Sequence, residues 1–208
     1  MGKIMMIAVL MVTLRSGTAA IAEVPYWELC TATFANYNGG PVGLMVLPNG
    51  EGPPFTEASD GYSGTVDGTI VACLYDVWAN PVVGYPREDM WLESVDGGMA
   101  LCSAGSIADT DTDATGATTW TAPMSAGGTS EAGLVAMISG DAICCTIDLL
   151  VNSPDINGDL EVSLTDVSLF AADYYSGTYH FRSDLDYNGV ASISDVAILA
   201  SAYITRCP

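Results

Sequence analysis

Asp155-Ile156-Asn157-Gly158-Asp159-Leu160-Glu161-Val162-Ser163-Leu164-Thr165-Asp166 has a counterpart 29 residues later, Asp184-Leu185-Asp186-Tyr187-Asn188-Gly189-Val190-Ala191-Ser192-Ile193-Ser194-Asp195. Both twelve-residue stretches carry an oxygen-bearing side chain at positions 1, 3, 5, 9 and 12. The repeat continues beyond them. Val167, Phe170, Ala171 and Tyr174 follow the first copy as Val196, Leu199, Ala200 and Tyr203 follow the second. Spacings of three and four put each set on one helix face, so the pattern predicts a duplicated loop–helix unit.

The donor set points to a hard cation. Calcium takes six to eight oxygens at about 2.3–2.6 Å, and a twelve-residue loop offers them from positions 1, 3, 5, 7, 9 and 12. The first loop presents Asp155, Asn157, Asp159, the Glu161 carbonyl, Ser163 through a water, and Asp166. The second presents Asp184, Asp186, Asn188, the Val190 carbonyl, Ser192 and Asp195. Two calcium ions are therefore expected. Position 6 turns sharply and favours glycine. Gly189 meets that need, whereas Leu160 in a left-handed conformation costs on the order of 1 kcal/mol, so the first site is expected to be the weaker. The clustered carboxylates repel one another until a cation neutralises them, which makes calcium a folding ligand for this segment.

Paired loops closed by Asp at position 12, each followed by one helix, are similar to type I dockerin modules over Asp155 to the end of the chain. The resemblance implies a compact pair of antiparallel helices, two calcium ions and a protein partner, which in that family is a cohesin domain. Family recognition uses polar residues at loop positions 10 and 11, and often basic residues along the helix. Here those positions hold Leu164-Thr165 and Ile193-Ser194, and neither exit helix has a Lys or Arg before Arg206.

Upstream, residues 23–150 read as short strands: Thr31–Tyr37, Val42–Leu47, Thr69–Val77, Met90–Ser94, Thr118–Thr121, Gly133–Ile138 and Ile143–Val151. Between them stand Pro48-Asn49-Gly50, Gly52-Pro53-Pro54, Asn80-Pro81, Asp96-Gly97-Gly98 and Ala126-Gly127-Gly128, all turn-forming text. This predicts an antiparallel sandwich. Thr69 to Pro86, with its Asn80-Pro81-Val82-Val83-Gly84, and the later Thr112-Asp113-Ala114-Thr115-Gly116 resemble bacterial immunoglobulin-like domains of the invasin type over some of this region. That resemblance implies a carrier, spacer or adhesive module. The expected architecture is thus mainly β: an immunoglobulin-like antiparallel β-sandwich, then at 151–208 a small α-helical dockerin-like module with two calcium loops.

Residues 1–22 have the layout of an export signal: Lys3, the apolar run Ile4–Leu14 and the small-residue end Ala20-Ile21-Ala22. The apolar run is shorter than the about 20 residues a membrane span needs. A secreted, extracellular or cell-surface protein without a membrane span in its mature chain is expected. Without this segment only Arg87, Arg182 and Arg206 oppose all 25 acids, a formal charge of −22. Such a charge makes nucleic acid and anionic lipid poor partners on electrostatic grounds, and neither is expected. Lysine chemistry is excluded after residue 22, because no lysine occurs there. Cys30, Cys73, Cys102, Cys144, Cys145 and Cys207 form an even set without a C-x-x-C pair, read as disulfides in an exported chain, with the pairing open. Cys144 and Cys145 are expected to take different partners, since neighbouring strand side chains point to opposite faces.

No catalytic constellation emerges. His180, the only histidine, lies in the link between the loops. Two functional expectations follow. The first is a non-enzymatic calcium-binding structural subunit that associates with copies of itself, head to tail or by strand addition, in an extracellular filament or surface layer. The alternative is a binding module tethered through its tail to a cohesin-like scaffold, with Trp27, Trp78, Trp91 and Trp120 as candidates for stacking on carbohydrate.

Overall fold

The computed structural model describes residues 24–61 and 64–208. The expected export signal at 1–22 lies outside them. The fold is mainly β, with twelve short strands and two α-helices among the described residues. The strands are β1 (Thr31–Phe34), β2 (Val42–Met45), β3 (Ala58–Ser59), β4 (Thr65–Val66), β5 (Ile70–Cys73), β6 (Met90–Ser94), β7 (Met99–Leu101), β8 (Ala117–Trp120), β9 (Ala126–Gly128), β10 (Leu134–Ile138), β11 (Asp141–Ile147) and β12 (Leu149–Asn152). The helices, α1 (Leu164–Ser176) and α2 (Ile193–Ala202), each follow one of the duplicated loops.

Alternation explains the best-defined strands. In β5, β8 and β10 every second residue is buried, so one face of each enters the core and the other does not. Hydrogen bonding arranges the strands in the orders β1-β5-β8, β11-β10-β6, β12-β2-β3-β4 and β7-β9. Leu44, Phe55, Ile70, Leu92, Trp120 and Leu134 belong to the single large apolar cluster that these sheets enclose.

Several strands depart from the sequence expectation. The run expected as one strand over Ile143–Val151 divides at Asp148. β11 pairs antiparallel with β10, whereas β12 crosses to lie parallel to β2, with Leu149 opposite Val42 and Asn152 opposite Met45. An exclusively antiparallel arrangement is therefore not what forms. The named strand pairs are antiparallel except β2–β12. Ala126-Gly127-Gly128, read as a turn, is β9, fully buried and paired with β7. After β5 the chain turns, and Tyr75 and Pro81 form an isolated antiparallel bridge. Asp76 Oδ1 accepts the backbone N–H groups of Trp78 and Asn80, and Ala79 takes the left-handed conformation, φ 62°, that a glycine would adopt without cost.

Asn152 ends β12, and the loop–helix segment packs directly behind it. Ile156, Val162, Phe170, Leu185, Leu199 and Ala202 form a second apolar cluster, against which Leu47 from beyond β2 also packs. The helix faces are only partly used. Phe170 and Leu199 are buried, but their face-mates Val167, Tyr174, Val196 and Tyr203 stay exposed, because the loop residues Ile156, Val162 and Leu185 fill the core in their place. A disulfide between Cys102, just after β7, and Cys207 fastens the end of the tail to the sheets. No helix among the described residues is long and apolar enough to cross a membrane.

Candidate metal centre

Each loop organises itself around its first and last aspartate. In the first, Asp155 Oδ1 accepts the N–H groups of Gly158 at 3.0 Å and Asp159 at 3.2 Å, and Oδ2 accepts that of Leu160 at 2.8 Å. Asp166 closes the loop from α1, accepting Asn157 N–H through Oδ1 and Ser163 N–H through Oδ2. The second loop repeats this plan. Asp184 accepts from Asn188 and Gly189, and Asp195 accepts from Asp186, Leu185 and Ser192. Position 5 does the same in both copies: Asp159 accepts from Glu161 N–H, and Asn188 from Val190 N–H. The duplication seen in the sequence is thus a duplication of hydrogen bonding.

The loops also start their helices. Ser163 and Ser192 cap α1 and α2, and Asp166 and Asp195 reach back to complete a capping box at each. Position 12 of the loop is therefore N3 of the helix. Position 6 is left-handed in both copies, Leu160 at φ 70° and Gly189 at φ 85°, so the leucine adopts the costly conformation. Position 4 is left-handed too, at Gly158 (φ 69°) and Tyr187 (φ 59°). That second turn is not marked by any shared residue type in the two copies.

The electrostatics suit a cation. Asp155, Asp166 and Asp195 have no exposed surface and Asp184 has 1%. Buried carboxylates are expensive unless paired with positive charge. Burial pushes the Asp155 carboxyl up to about 6, with the nearby Asp166 and Asp159 charges adding to the rise. Burial likewise raises Asp184, against the hydrogen bonds from Tyr179, Gly189 and Asn188 that favour its ionised form. In the second loop Asp184, Asp186 and Asp195 each bring a carboxylate oxygen within 4.8 Å of the others, close enough for one ion to bridge them. Among the described residues only this trio draws three acidic, histidine or cysteine side chains so close. In the first loop position 3 is Asn157, whose amide donates to Asp159 Oδ2 at 2.8 Å. In the second loop the Asn188 amide likewise donates to Asp186 Oδ2, at 2.9 Å, and the three carboxylates offer the oxygen donors that a hard divalent cation takes.

The remaining candidate residues sit around this core. Glu161 and Val190, whose carbonyls are the expected position-7 donors, have exposed side chains. Ser163 and Ser192, the expected position-9 donors, are half-buried and engaged as helix caps. His180 lies beside Asp173, 3.9 Å from its Oδ1, with its other ring nitrogen 3.0 Å from Thr178 Oγ1. The four tryptophans do not form one platform. Trp120 is in the core and donates to Ser106 O, Trp91 is half-buried and donates to Glu93, and Trp27 and Trp78 are exposed.

Two contacts that sequence reasoning missed join the loops to the sheets. Asn152, at the end of β12, donates through its side-chain amide to the Asp184 carbonyl, and its backbone N–H donates to Tyr187 Oη at 2.9 Å. Gly128 N–H, at the end of β9, donates to the Asp155 carbonyl at 2.7 Å. The available signal was Gly43 within the Val42–Leu47 strand text, which marks the close approach of Tyr187, whereas Gly128 lay in text read as a turn. No family model, curated protein or solved structure matches the chain.

Proposed function

We propose that this is a secreted, calcium-binding structural protein whose duplicated C-terminal segment, a dockerin-like module beside an immunoglobulin-like β-sandwich, mediates contacts with other proteins. The observation that carries the reading is the trio Asp184, Asp186 and Asp195, converging within 4.8 Å in a loop whose hydrogen bonds repeat in the first copy. Calcium bound there supplies the positive charge that the buried carboxylates call for. The role is proposed as structural rather than catalytic. Supporting this, His180 is taken up by Asp173 and Thr178 in the link between the loops.

Self-association is the preferred form of the contact, in an extracellular filament or surface layer. The tail leaves Leu164, Val167, Ile193 and Val196 exposed on its two helices, two apolar pairs related by the internal repeat. Exposed apolar residues gathered into one patch mark protein contact sites. Attachment to a cohesin-like scaffold is the second reading, supported by the loop–helix duplication itself; the apolar Leu164 and Ile193 at loop position 10, where the family carries polar residues, favour self-association over it. Size-exclusion chromatography with light scattering, run in calcium and in chelator, tests the proposal. Concentration-dependent assembly in calcium alone is expected. Monomers under every condition remove self-association, and calorimetry that detects no calcium uptake at millimolar concentration removes the metal reading.

A further inference from the structure

Gly43 and Gly127 stand inside strands β2 and β9, and neither has a positive φ. Their backbone conformations are open to any residue, so what distinguishes them is space. A methyl group on Gly127 would overlap the Asp155 carboxylate, position 1 of the first loop. A methyl group on Gly43 would overlap the ring of Tyr187, position 4 of the second loop. Two strands thus leave a missing side chain where each loop comes to rest.

The two seats differ in detail. At the first, position 4 is Gly158, left-handed at φ 69°, where an added methyl group would only reach ordinary contact with Gly128. Gly128 N–H holds the Asp155 carbonyl at the same point. At the second, position 4 is a tyrosine, forced left-handed between the donors Asp186 and Asn188. Its ring is buried over Gly43, and its hydroxyl accepts from Asn152 N–H. A non-glycine residue in that conformation costs on the order of 1 kcal/mol, which burial of an aromatic ring outweighs. Side chains that orient metal ligands without touching the metal change affinity about 10- to 100-fold when altered.

We infer that strands β2 and β9 are working parts of the two cation loops: Gly127 seats the Asp155 carboxylate of the first, and Gly43 seats Tyr187 of the second. The inference rests on the calcium reading above and adds that the tail's affinity is set by the sheets it packs against. By reciprocity, cation binding stabilises the sheets to the extent that the sheets strengthen binding. Gly43 and Gly127 are positioning residues in this scheme.

Calorimetric titration with calcium of the purified protein, Gly127→Ala, Gly43→Ala and Gly40→Ala provides the test. Gly40 has open space around it and serves as the control. The wild type should take up two ions. Gly127→Ala should weaken one site by about 10- to 100-fold and spare the other, Gly43→Ala should weaken the second site, and Gly40→Ala should match the wild type. Binding in both seat variants within about twofold of the wild type, or loss of both sites together in either, overturns the inference and leaves the calcium reading standing. Absence of uptake by the wild type overturns both. Should a variant fail to fold, judged by tryptophan emission, the wild type alone decides. Calcium must raise the midpoint of the unfolding transition that buried Trp120 reports, and an unmoved midpoint overturns the inference.

Discussion

Asp173, on α1, is a buried carboxylate paired with a cation. Its side chain is 4% exposed, and it accepts from Arg182 Nε at 2.7 Å, Arg182 Nη2 at 2.8 Å and Ser183 Oγ at 2.8 Å. The Arg182 guanidinium holds its carboxyl below the usual carboxylate range, against the opposing effect of burial. A depressed folded-state value means stability that is present above the unfolded carboxylate range and lost as pH falls through the folded value. Asp173→Asn should therefore cost about 1–3 kcal/mol at neutral pH, and its deficit against the wild type should shrink below about pH 4, as denaturant titrations at several pH values would reveal. None of this was legible in the sequence. Asp173 and Arg182 are nine positions apart across a Gly-Thr link, and they meet because Gly177 turns left-handed, φ 73°, and sends the chain back along α1. Leu160 is the opposite case: its strained position followed from the loop pattern alone, since glycine fills the same place in the second copy.

The elements divide along the same line. Periodic ones were readable: β6 has the expected bounds, and α1 and α2 start where the loop repeat places them. β3 and β4, of two residues each, are too short to alternate, and β9 is written almost wholly in glycine because another segment rests on it. The helices are short, 13 and 10 residues, within and below the range of about 12–15 under which isolated helices are marginal. Their starts depend on Asp166 and Asp195, each serving at once as cap and as loop closure. Repulsion among the loop carboxylates should consequently unwind them when the cation is withdrawn. Helical ellipticity should fall on adding chelator and return with excess calcium; identical spectra in both conditions would contradict the coupling. Ser192→Ala, which removes the α2 cap, should cost about 1 kcal/mol by denaturant titration.

At the scale of the molecule, the tail and the sheets hold each other. The Cys102–Cys207 disulfide closes a loop of 105 residues, and the chain just before Cys207 pairs with the first of the duplicated loops: Val162 N–H donates to Thr205 O, Ile204 N–H to Val162 O, and Cys207 N–H to Leu160 O. Closing a loop of this length stabilises the folded state by about 3–5 kcal/mol, chiefly by restricting the unfolded chain. The Cys102→Ser, Cys207→Ser double variant should lose about that much in denaturant titration, and reductant should reproduce the loss in the wild type but not in the variant. Composition signalled disulfide bonding, and one bond, Cys102–Cys207, is present among the described residues. Which cysteines meet depends on how the tail folds back over β7 and β9, a long-range placement that no local spacing encodes.

The parallel alignment of β12 with β2 also has a kinetic side. A parallel pair with Leu149 opposite Val42 joins distant parts of the chain, and contacts of such high sequence separation form late because the intervening loop must be closed first. Asn152, which receives the second loop, is the last residue of that strand. On the proposed calcium reading, cation capture is expected to come last in assembly. In stopped-flow refolding, core tryptophan emission should recover at a rate indifferent to calcium, followed by a slower phase whose amplitude scales with it; a calcium-accelerated first phase would mean that the loops nucleate the fold instead.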